Sequence, residues 1–502
     1  MRFTSLVIEL IRARPRLVVW LVVLSQAALW LILPTLVYRS PPGDLAMALA
    51  YGREYQVGTE LGPPLAFWFA DIAFRAAGNH VFGVYLLAQM CSVATFWILY
   101  VLARAIVGAQ QAALAVLLTV TVAAFGSPGV EFGPLVLARP LWALLLLHSW
   151  RLIGENQRSA WFAWSIVAGL LLLTTSAAVG LLLLVAAFAV ATERGRRTLR
   201  SFDPLYALLV IVVLALPYLI WLIRADTLGI PRLPVTHDLT ARLLHLGWLL
   251  GGLLLAISGI VLLVILNSAW FDRNSEEAPI IYRPPVDSLA RDFVYYFAIG
   301  PALAGSLIAG LFNLDHVAGG AGVALLMSGL AVIVATGDLV YLRRQRLLRS
   351  VWAAAVIAPA FVAVATTLLL PWAGPAEIPT SMPANAIAQY FADSFERRTN
   401  QRLRAVTGEA ELATLIAMSP GRPHLLIDAV PQRTPWLTVA KFNETGGVVV
   451  WRAADTVGTP PAEISRRFPG LVPEVPRAFE RVVDGRQPPL RIGWAIVRPK
   501  AP

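Results

Sequence analysis

The sequence predicts an α-helical polytopic membrane protein with about 11 transmembrane helices and a C-terminal soluble α/β domain. The first observation is composition: 58% of the 502 residues are hydrophobic and 14% are charged, whereas about a quarter of the residues in soluble domains are charged. The second is the recurrence of apolar stretches of about 20 residues, the length that crosses a hydrocarbon core about 30 Å thick. The third is the position of the arginines, which cluster between these stretches.

About eleven apolar stretches have a length suited to spanning the membrane. The first, Leu17 to Tyr38, is too long for the apolar region of a cleavable signal peptide and lacks a small-residue cleavage site, so we interpret it as the first span. The predicted spans are 17–38, 81–104, 109–125, 135–152, 159–173, 175–192, 204–223, 244–266, 293–312, 320–340 and 351–372.

Three arginine clusters orient these spans. With eleven spans, all three clusters fall on one side of the membrane, whereas the loops 126–134 and 313–319 on the other side contain no arginine or lysine. Because short cytoplasmic loops carry the excess of positive charge, the pattern predicts a cytoplasmic N-terminus. It places the 39–78 loop and all residues after 372 outside. The clusters are Arg2, Arg12, Arg14 and Arg16; Arg194, Arg196, Arg197 and Arg200; and Arg343, Arg344, Arg346 and Arg349.

The chain changes character near residue 373, which divides it into a membrane domain, 1–372, and a tail, 373–502. In the tail, helix-like patterns alternate with short β-like runs, and about 130 residues suffice for one α/β domain. Cys91 is the only cysteine, so no intrachain disulfide is possible. We therefore expect the tail to fold by itself. The helix-like patterns are 384–398 and 409–418, and the β-like runs are 424–430, 447–452 and 491–497.

The net charge of +11 does not indicate a nucleic-acid-binding protein. The positive residues are mostly arginines in loops, and Lys441 and Lys500 are the only lysines, so we interpret the charge as a consequence of topology. The sequence contains neither a cluster of metal-ligating residues nor a glycine-rich phosphate loop. We predict no cofactor and no metal.

The first outer loop carries the polar residues that indicate chemistry. Residues 43–55 have helical spacing and predict an amphipathic helix on the membrane surface. Pro63 and Pro64 then begin a second apolar segment, which is short for a full span. Asp44 precedes the first helix and has two interpretations: an N-cap, or a general base at the lipid–water boundary. The loop sequence is Asp44, Tyr51-Gly52-Arg53-Glu54-Tyr55, Gly58, Pro63-Pro64-Leu65 and Trp68.

The order and spacing of these residues resemble the first loop of bacterial glycosyltransferase family 39 and of the related aminoarabinose and galacturonic-acid transferases. The run from Leu137 to Leu144 also resembles a span of that family. The resemblance implies the type C glycosyltransferase fold, with Asp44 as the catalytic base. It implies inverting transfer of a sugar from a polyprenyl-phosphate donor to a lipopolysaccharide, lipid or protein acceptor. This would take place on the outer face of the bacterial inner membrane.

The chain departs from the family pattern at three positions. Gly62 stands where the family has Lys or His before the two prolines, and Met47 and Leu135 stand at positions that are usually polar or charged. A phosphate leaving group still needs positive charge nearby. We expect Arg53 to supply it or, alternatively, Arg139, for which a structural ion pair is an equal interpretation.

Several alternatives stay open. Glu131, upstream of Leu135, is a possible second acid. For Asp71, as for Arg139, a structural ion pair and a ligand role are both open. A non-catalytic descendant that binds or assembles envelope components is the alternative to an enzyme. A transporter would need ionisable residues deep in several spans, and they are scarce here. The sequence identifies neither the sugar nor the acceptor. Three residues in the outer loops, which we interpret as solvated, are His237, Asp315 and His316.

Overall fold

The computed structural model describes two compact units. The first comprises Met1–Leu31, Leu86–Ile220 and Asp226–Phe361, and the second comprises Ile32–Tyr85, Trp221–Ala225 and Val362–Pro502. The described residues are 3–126, 129–225, 239–268, 280–282, 285–342, 344–374, 377–427, 434–481, 483, 485–486 and 488–499.

Helices dominate both units, and strands are concentrated in the tail. In chain order the helices are α1 (Phe3–Ala13), α2 (Pro15–Val37), α3 (Leu45–Gly52), α4 (Leu65–Ala76), α5 (Phe82–Val107), α6 (Ala109–Thr119), α7 (Pro134–Ile153), α8 (Ala160–Leu172), α9 (Ala178–Ala191), α10 (Glu193–Leu199), α11 (Asp203–Arg224), α12 (Leu239–Ala256), α13 (Ser258–Asn267), α14 (Ser288–Phe312), α15 (Ala321–Ala324), α16 (Ser328–Ala335), α17 (Gln345–Leu368), α18 (Leu370–Ala373), α19 (Ala384–Thr399), α20 (Ala410–Ala417), α21 (Val439–Thr445) and α22 (Ala462–Arg467). The strands are β1 (Ile280–Tyr282), β2 (Leu339–Tyr341), β3 (Ala405–Gly408), β4 (His424–Leu425), β5 (Gly447–Arg452), β6 (Glu474–Phe479) and β7 (Leu490–Val497).

The predicted multi-span membrane fold is confirmed. Within the described residues, six helices are long and apolar enough to cross a membrane, and two bent helix pairs raise the number to as many as eight. Three shorter apolar helical segments are also present: Ala109–Thr119, Ala160–Leu172 and Ala321–Ala335, the last of which comprises α15 and α16. Each predicted span overlaps one of these helices or pairs, but the count of eleven membrane crossings stays a prediction. The six long helices are α2, α5, α7, α11, α14 and α17.

Aromatic side chains of α7, α9 and α14 form the core of the first unit. The ring centroids of Trp142 and Trp150 lie 5.9 Å from Phe297 and 5.3 Å from Phe293, respectively. Phe188 of α9 packs on both phenylalanines, with centroids at 5.4 and 5.5 Å. Helix association in lipid depends on such packing, because lipid tails are as apolar as the side chains.

The tail is built around a five-stranded mixed sheet of order β4-β3-β5-β7-β6. Strand β3 runs parallel to β4 and β5, whereas β7 runs antiparallel to β5 and β6. Successive strand residues point to opposite faces, so β5 contributes to two cores. Val450 packs with Phe391 of α19 and Ile416 of α20. Trp451 packs on the other face with Phe442 of α21.

This architecture confirms the predicted α/β character of the tail. The helices predicted at 384–398 and 409–418 correspond to α19 and α20, and the β-like runs at 447–452 and 491–497 correspond to β5 and β7. The run predicted at 424–430 forms only the short β4, and residues 428–430 lie outside the described part of the chain. Strands β3 and β6 were not predicted.

Helix α3 differs from the amphipathic surface helix predicted over 43–55. It is shorter, and seven of its eight residues are buried. Ala46 and Ala50 belong to the same hydrophobic cluster as Ile387, Phe391 and Ile416 of the tail. Alanine side chains allow this close contact, which local periodicity does not predict. The second unit therefore includes the first loop with the tail, and the domain boundary at residue 373 stays a prediction.

We expect residues 377–502, expressed alone, to unfold cooperatively, because both cores around the sheet lie mostly within this segment. Ile416→Ala should lower the free energy of unfolding by about 2–5 kcal/mol, since it leaves a cavity in a packed core. Glu463→Ala, on the exposed side of α22, is the matched control and should change it by less than about 0.5 kcal/mol. Denaturant titration followed by circular dichroism measures both changes. An unstructured fragment would show that the tail folds only together with α3.

Candidate active site

Asp44 lies at the start of α3 with an exposed side chain. It occupies the N-cap position, and its backbone carbonyl accepts a hydrogen bond from the Ala48 amide at 2.8 Å. Its carboxylate makes no capping hydrogen bond and no hydrogen bond or ion pair with any described residue. The helix is held by burial instead of by its cap. The structure thus leaves the Asp44 carboxylate available to a ligand.

The glycines of the loop motif mark two close approaches. A Cβ atom on Gly52 would lie 2.2 Å from the backbone oxygen of Phe67, where α3 crosses α4. A Cβ atom on Gly58 would lie 2.3 Å from the ring of Trp221. Real Cβ atoms do not approach other atoms this closely, so only glycine fits these two positions. The motif therefore encodes two close contacts, that of α3 with α4 at Gly52 and that of the loop with Trp221 at Gly58.

A tight turn leads from the motif into α4. The backbones of Thr59 and Gly62 exchange hydrogen bonds of 3.1 and 3.0 Å. Gly62 has a φ of +121°, a conformation that residues with a Cβ atom rarely adopt. Pro63 and Pro64 are buried, and Pro64 occupies the N-cap position of α4. The turn explains why a lysine or histidine is disfavoured at residue 62 of this chain.

The second unit contains a fully buried carboxylate. Asp71, on α4, forms ion pairs with the Nε atom of Arg75 at 2.7 Å and the Nη2 atom of Arg422 at 2.5 Å. Arg422 comes from the tail, and its guanidinium also lies over the Phe74 ring, 5.0 Å from the centroid. The Arg422 side chain is 11% exposed, whereas that of Arg75 is 52% exposed. Asp71 thus connects α4 to the tail.

Tyr55 and Trp68 extend this network into the loop. The Arg75 guanidinium lies 5.5 Å from the centroid of the Tyr55 ring. Burial and the nearby Asp71 carboxylate raise the pKa of the Tyr55 hydroxyl. The indole nitrogen of Trp68 donates to the backbone oxygen of Gln56 at 3.0 Å. The aromatic positions of the motif thus fix the loop against α4.

Two further motif residues contact the tail. The Glu54 carboxylate lies 2.8 Å from the Nδ1 atom of His424. The ring of Tyr51 packs edge-on against that of Trp436, with centroids 5.9 Å apart. Burial, together with the negative charge of Glu60, raises the pKa of Tyr51 to about 12. Tyr51 is therefore a neutral packing residue.

Arg53 follows α3 directly and is half-buried. Burial lowers the pKa of its guanidinium, the Glu54 carboxylate opposes that change, and the nearby positive charges of Arg422 and Arg75 lower it further. Its Nη1 atom is buried and has no hydrogen-bond partner among the described residues. Arg53, Arg75 and Arg422 therefore form a cationic cluster around Asp71.

The other two departures from the family pattern are packing residues in this structure. Met47 is partly buried and contacts the clusters formed by α3, α4 and the tail. Leu135, in the first turn of α7, is 38% exposed and lies close to Gly320, whose added Cβ would be 3.3 Å from a Leu135 methyl. Apolar contacts account for both side chains.

A cavity of about 420 Å³, lined mostly by apolar residues, lies within the first unit. Arg139 is 5% exposed, and its guanidinium lies 5.4 Å from the centroid of the Phe125 ring. Its Nε atom has no hydrogen-bond partner in the described part of the chain, and no ion pair of Arg139 occurs there. Residues lining the cavity include Arg139, His245, Trp248, Asp315 and His316. Asp315 and His316, predicted to be solvated, are exposed and line this cavity.

Glu131 is exposed and close enough to Arg139 to act on its charge. It belongs to the first unit, whereas Asp44 belongs to the second. The described residues contain no group of three His, Cys, Asp or Glu side chains that could hold a metal ion. His237 lies outside the described residues.

Sequence reasoning missed Arg422, His424 and Trp436 as site residues. Each contacts a residue of the first loop, from which it is separated by more than three hundred positions in the sequence. One local feature distinguishes Arg422, a positive φ of +46°, but this conformation has no signature in the sequence. The sequence singled out Asp71, but its distant partner Arg422 could not be identified without the structure.

We expect Gly52→Ala to destabilise the protein by about 1–3 kcal/mol, because the added methyl group overpacks the α3–α4 crossing. Gly251→Ala on α12, where an added Cβ meets no atom within 4 Å, is the matched control and should be neutral or slightly stabilising. The thermal unfolding midpoint of the purified protein in detergent measures both. Equal midpoints for the two variants would contradict the close crossing.

Comparisons with known proteins bear on the fold. Residues 62–221 match the family model described as dolichyl-phosphate-mannose-protein mannosyltransferase. The structure resembles ArnT from Cupriavidus metallidurans bound to undecaprenyl phosphate, with a TM-score of 0.61 and 13% sequence identity over 96% of this chain and 99% of that chain. The apo state of that protein matches with a TM-score of 0.50 and 13% identity, over 95% of this chain and 97% of that chain. No curated protein sequence matches the chain.

These matches extend beyond the loop that suggested the relationship. The family model begins at Gly62, inside the loop, and continues through α4 to α11. The structural similarity covers nearly the whole chain, the tail included. The predicted resemblance is confirmed, and the chain has the type C membrane glycosyltransferase fold, with a sequence that has diverged widely from its structural relatives.

Proposed function

We propose that the protein transfers a sugar from a polyprenyl-phosphate donor to an acceptor of the cell envelope, either a lipid, lipopolysaccharide or a protein. The observation that carries the proposal is the arrangement of α3. The helix begins after an exposed carboxylate, Asp44, which has no partner among the described residues, and ends at a half-buried arginine, Arg53. At about 1.5 Å and about 100° per residue the two positions are about 13 Å apart along the axis and on opposite sides of it. The same short helix is thus preceded by a candidate base and followed by a candidate cation.

Asp44 is the proposed general base. As the acceptor hydroxyl oxygen forms a bond to the anomeric carbon, its proton passes to the Asp44 carboxylate. The bond between the anomeric carbon and the phosphate oxygen breaks, and both of its electrons leave with the polyprenyl phosphate. Attack opposite the leaving group inverts the anomeric configuration. The exposure of Asp44 favours this role, because the carboxylate has no competing partner among the described residues.

Arg53 is the proposed cation for the leaving phosphate. Positive groups aimed at developing charge stabilise the transition state, and Gly62 and Met47 cannot provide one. The similarity to ArnT, whose solved complex contains undecaprenyl phosphate, supports a lipid-phosphate ligand. Arg139, in the cavity of the first unit, is the alternative cation. Glu131 is the alternative acid if Asp44 is not the base.

The proposed location of this chemistry is the outer face of the bacterial inner membrane, with a cytoplasmic N-terminus and a periplasmic tail. We expect a reporter that is active only outside the cytoplasm to be active when fused after Pro502. The same reporter fused near Arg346 should be inactive, because the arginine clusters are retained inside. The reverse pattern would place Asp44 on the cytoplasmic face and rule out a periplasmic reaction.

We expect Asp44→Asn to reduce sugar transfer by about 10²–10⁴-fold, the usual contribution of a positioned acid–base group. Its thermal midpoint should not change, because the Asp44 side chain caps nothing. Asp393→Asn, an exposed change on α19, should leave both quantities unaltered. The assay is transfer from a labelled polyprenyl-phosphate sugar in membranes containing the protein. Full activity of Asp44→Asn would make Glu131 the next residue to test, and an inactive wild type would favour a non-catalytic binding protein.

A further inference from the structure

We propose that Arg422, a residue of the tail, binds the phosphate group of the donor lipid together with Arg53. This inference rests on the proposed function and adds a binding residue from outside the first loop. It would make the tail a part of the donor site. The observation behind it is the cationic cluster around Asp71, formed by Arg53, Arg75 and Arg422 in the second unit.

The cluster around Asp71 carries an excess of positive charge. The guanidinium groups of Arg75 and Arg422 contact Asp71, and that of Arg53 is near enough to feel its charge. The second acid nearby, Glu54, lies against His424 at 2.8 Å. Asp71 already has an ion pair with Arg75 and another with Arg422. The cluster therefore holds more positive than negative charge, and such an excess is costly in partly buried surroundings. A bound anion would offset this cost.

Two arginines of the cluster retain hydrogen-bond donors without partners in the described part of the chain. The Nη1 atom of Arg53 and the Nε and Nη1 atoms of Arg422 are buried and have no hydrogen-bond partner among the described residues. Arg422 uses only its Nη2 atom, which contacts Asp71 at 2.5 Å and the Leu49 backbone oxygen at 3.4 Å. A guanidinium carries five N–H donors, so the N–H groups of Nε and Nη1 remain for a second partner while Nη2 contacts Asp71.

The backbone of Arg422 adopts an uncommon conformation. Arg422 has a φ of +46°, a left-handed conformation that is uncommon for residues with a side chain. Strained residues of this kind persist where the surrounding structure fixes them, and they concentrate at ligand-binding sites. Here the ion pair to Asp71 and the contact with the Phe74 ring fix the guanidinium. The side chain is therefore held in place before a ligand binds.

The donors of the two arginines fit a particular chemical class of ligand. A fork of N–H donors matches the oxygen atoms of a phosphate or carboxylate. The repulsion between Arg53 and Arg422, which contributes to the lowered pKa of Arg53, would be relieved by a group with more than one negative oxygen. A phosphate suits both conditions. It could come from a lipid headgroup or from free phosphate, and we propose the headgroup.

Binding of farnesyl phosphate to the full-length protein in detergent tests the proposal. Arg422→Lys keeps a positive charge opposite Asp71 but lacks the N–H groups of Nε and Nη1, so we expect it to weaken binding about 10–100-fold, the range for hydrogen bonds to charged groups. Arg466→Lys, the same substitution at an exposed position on α22 outside the cluster, is the matched control. It should change binding by less than about threefold, because an exposed charge contributes little. Equal losses in the two variants would mean that the loss is not specific to Arg422 and would overturn the proposal.

Two further probes separate the sources of the phosphate. Inorganic phosphate should compete only at much higher concentrations than farnesyl phosphate, and farnesol should not compete. Inorganic phosphate that binds as tightly as farnesyl phosphate would overturn the lipid assignment. If Arg422→Lys does not fold, Arg53→Gln provides the test, since Arg53 has no ion pair to lose among the described residues. Unchanged affinity in Arg53→Gln would then refute the paired site.

Transfer assays distinguish failure of this inference from failure of the proposed function. If the wild type transfers sugar and Arg422→Lys raises the KM for the donor with little change in kcat, both are supported. If the wild type transfers sugar and Arg422→Lys has the same KM as the wild type, the inference is wrong and the function stands. If the wild type binds farnesyl phosphate through Arg422 but transfers nothing, the binding site stands and the proposed reaction is wrong.

Discussion

The buried ion pairs of Asp71 are the interaction on which the second unit depends. A carboxylate with no exposed surface is costly unless it is paired, and removing one partner of a buried pair typically costs about 3–5 kcal/mol. Asp71 is fully buried, and one of its partners, Arg422, comes from the distant tail. The first loop and the tail therefore stabilise each other, and the position of α4 is set by electrostatics as well as by packing.

The position of α3 follows from that of α4. The two helices touch at Gly52, where the absence of a side chain permits a contact that no other residue allows. On its opposite side α3 packs through Ala46 and Ala50 into the hydrophobic core of the tail. A helix held from two sides does not need a side-chain cap. Asp44 can therefore stand at its N-terminus with an exposed carboxylate, although this position normally uses the side chain for capping.

The sequence predicted those features that depend on local pattern. Hydropathy identified the membrane helices, and periodicity identified α19, α20, β5 and β7, because these elements have one consistently buried face or a continuous apolar run. Strand β6 was missed because most of its side chains are partly or fully exposed, it contains Pro476, and its pairing with β7 is irregular. Its pattern is that of an edge, which carries little hydrophobic signal.

The candidate site was predicted in part. Motif spacing located Asp44, Arg53 and the residues that fix the loop, because these lie within one short segment. It could not reveal that α3 is buried, since the covering residues come from the tail. Nor could it identify Arg422 or His424, whose contacts with Asp71 and Glu54 arise only when distant segments fold together. Long-range pairing of single charges leaves no periodicity to detect.

The glycine at residue 62, where the family has a lysine or histidine, is related to the position of the positive charges in the site. The turn between Thr59 and Gly62 requires a φ of +121° at residue 62, so a basic side chain there would strain the entry to α4. Positive charge is instead concentrated at Arg53 and Arg422, beside Asp71. Replacing a lysine-type point charge by guanidinium forks changes recognition, because arginine contacts two oxygens in a fixed plane. In this chain the arrangement of the cations, more than their number, would then determine how a phosphate is oriented toward Asp44.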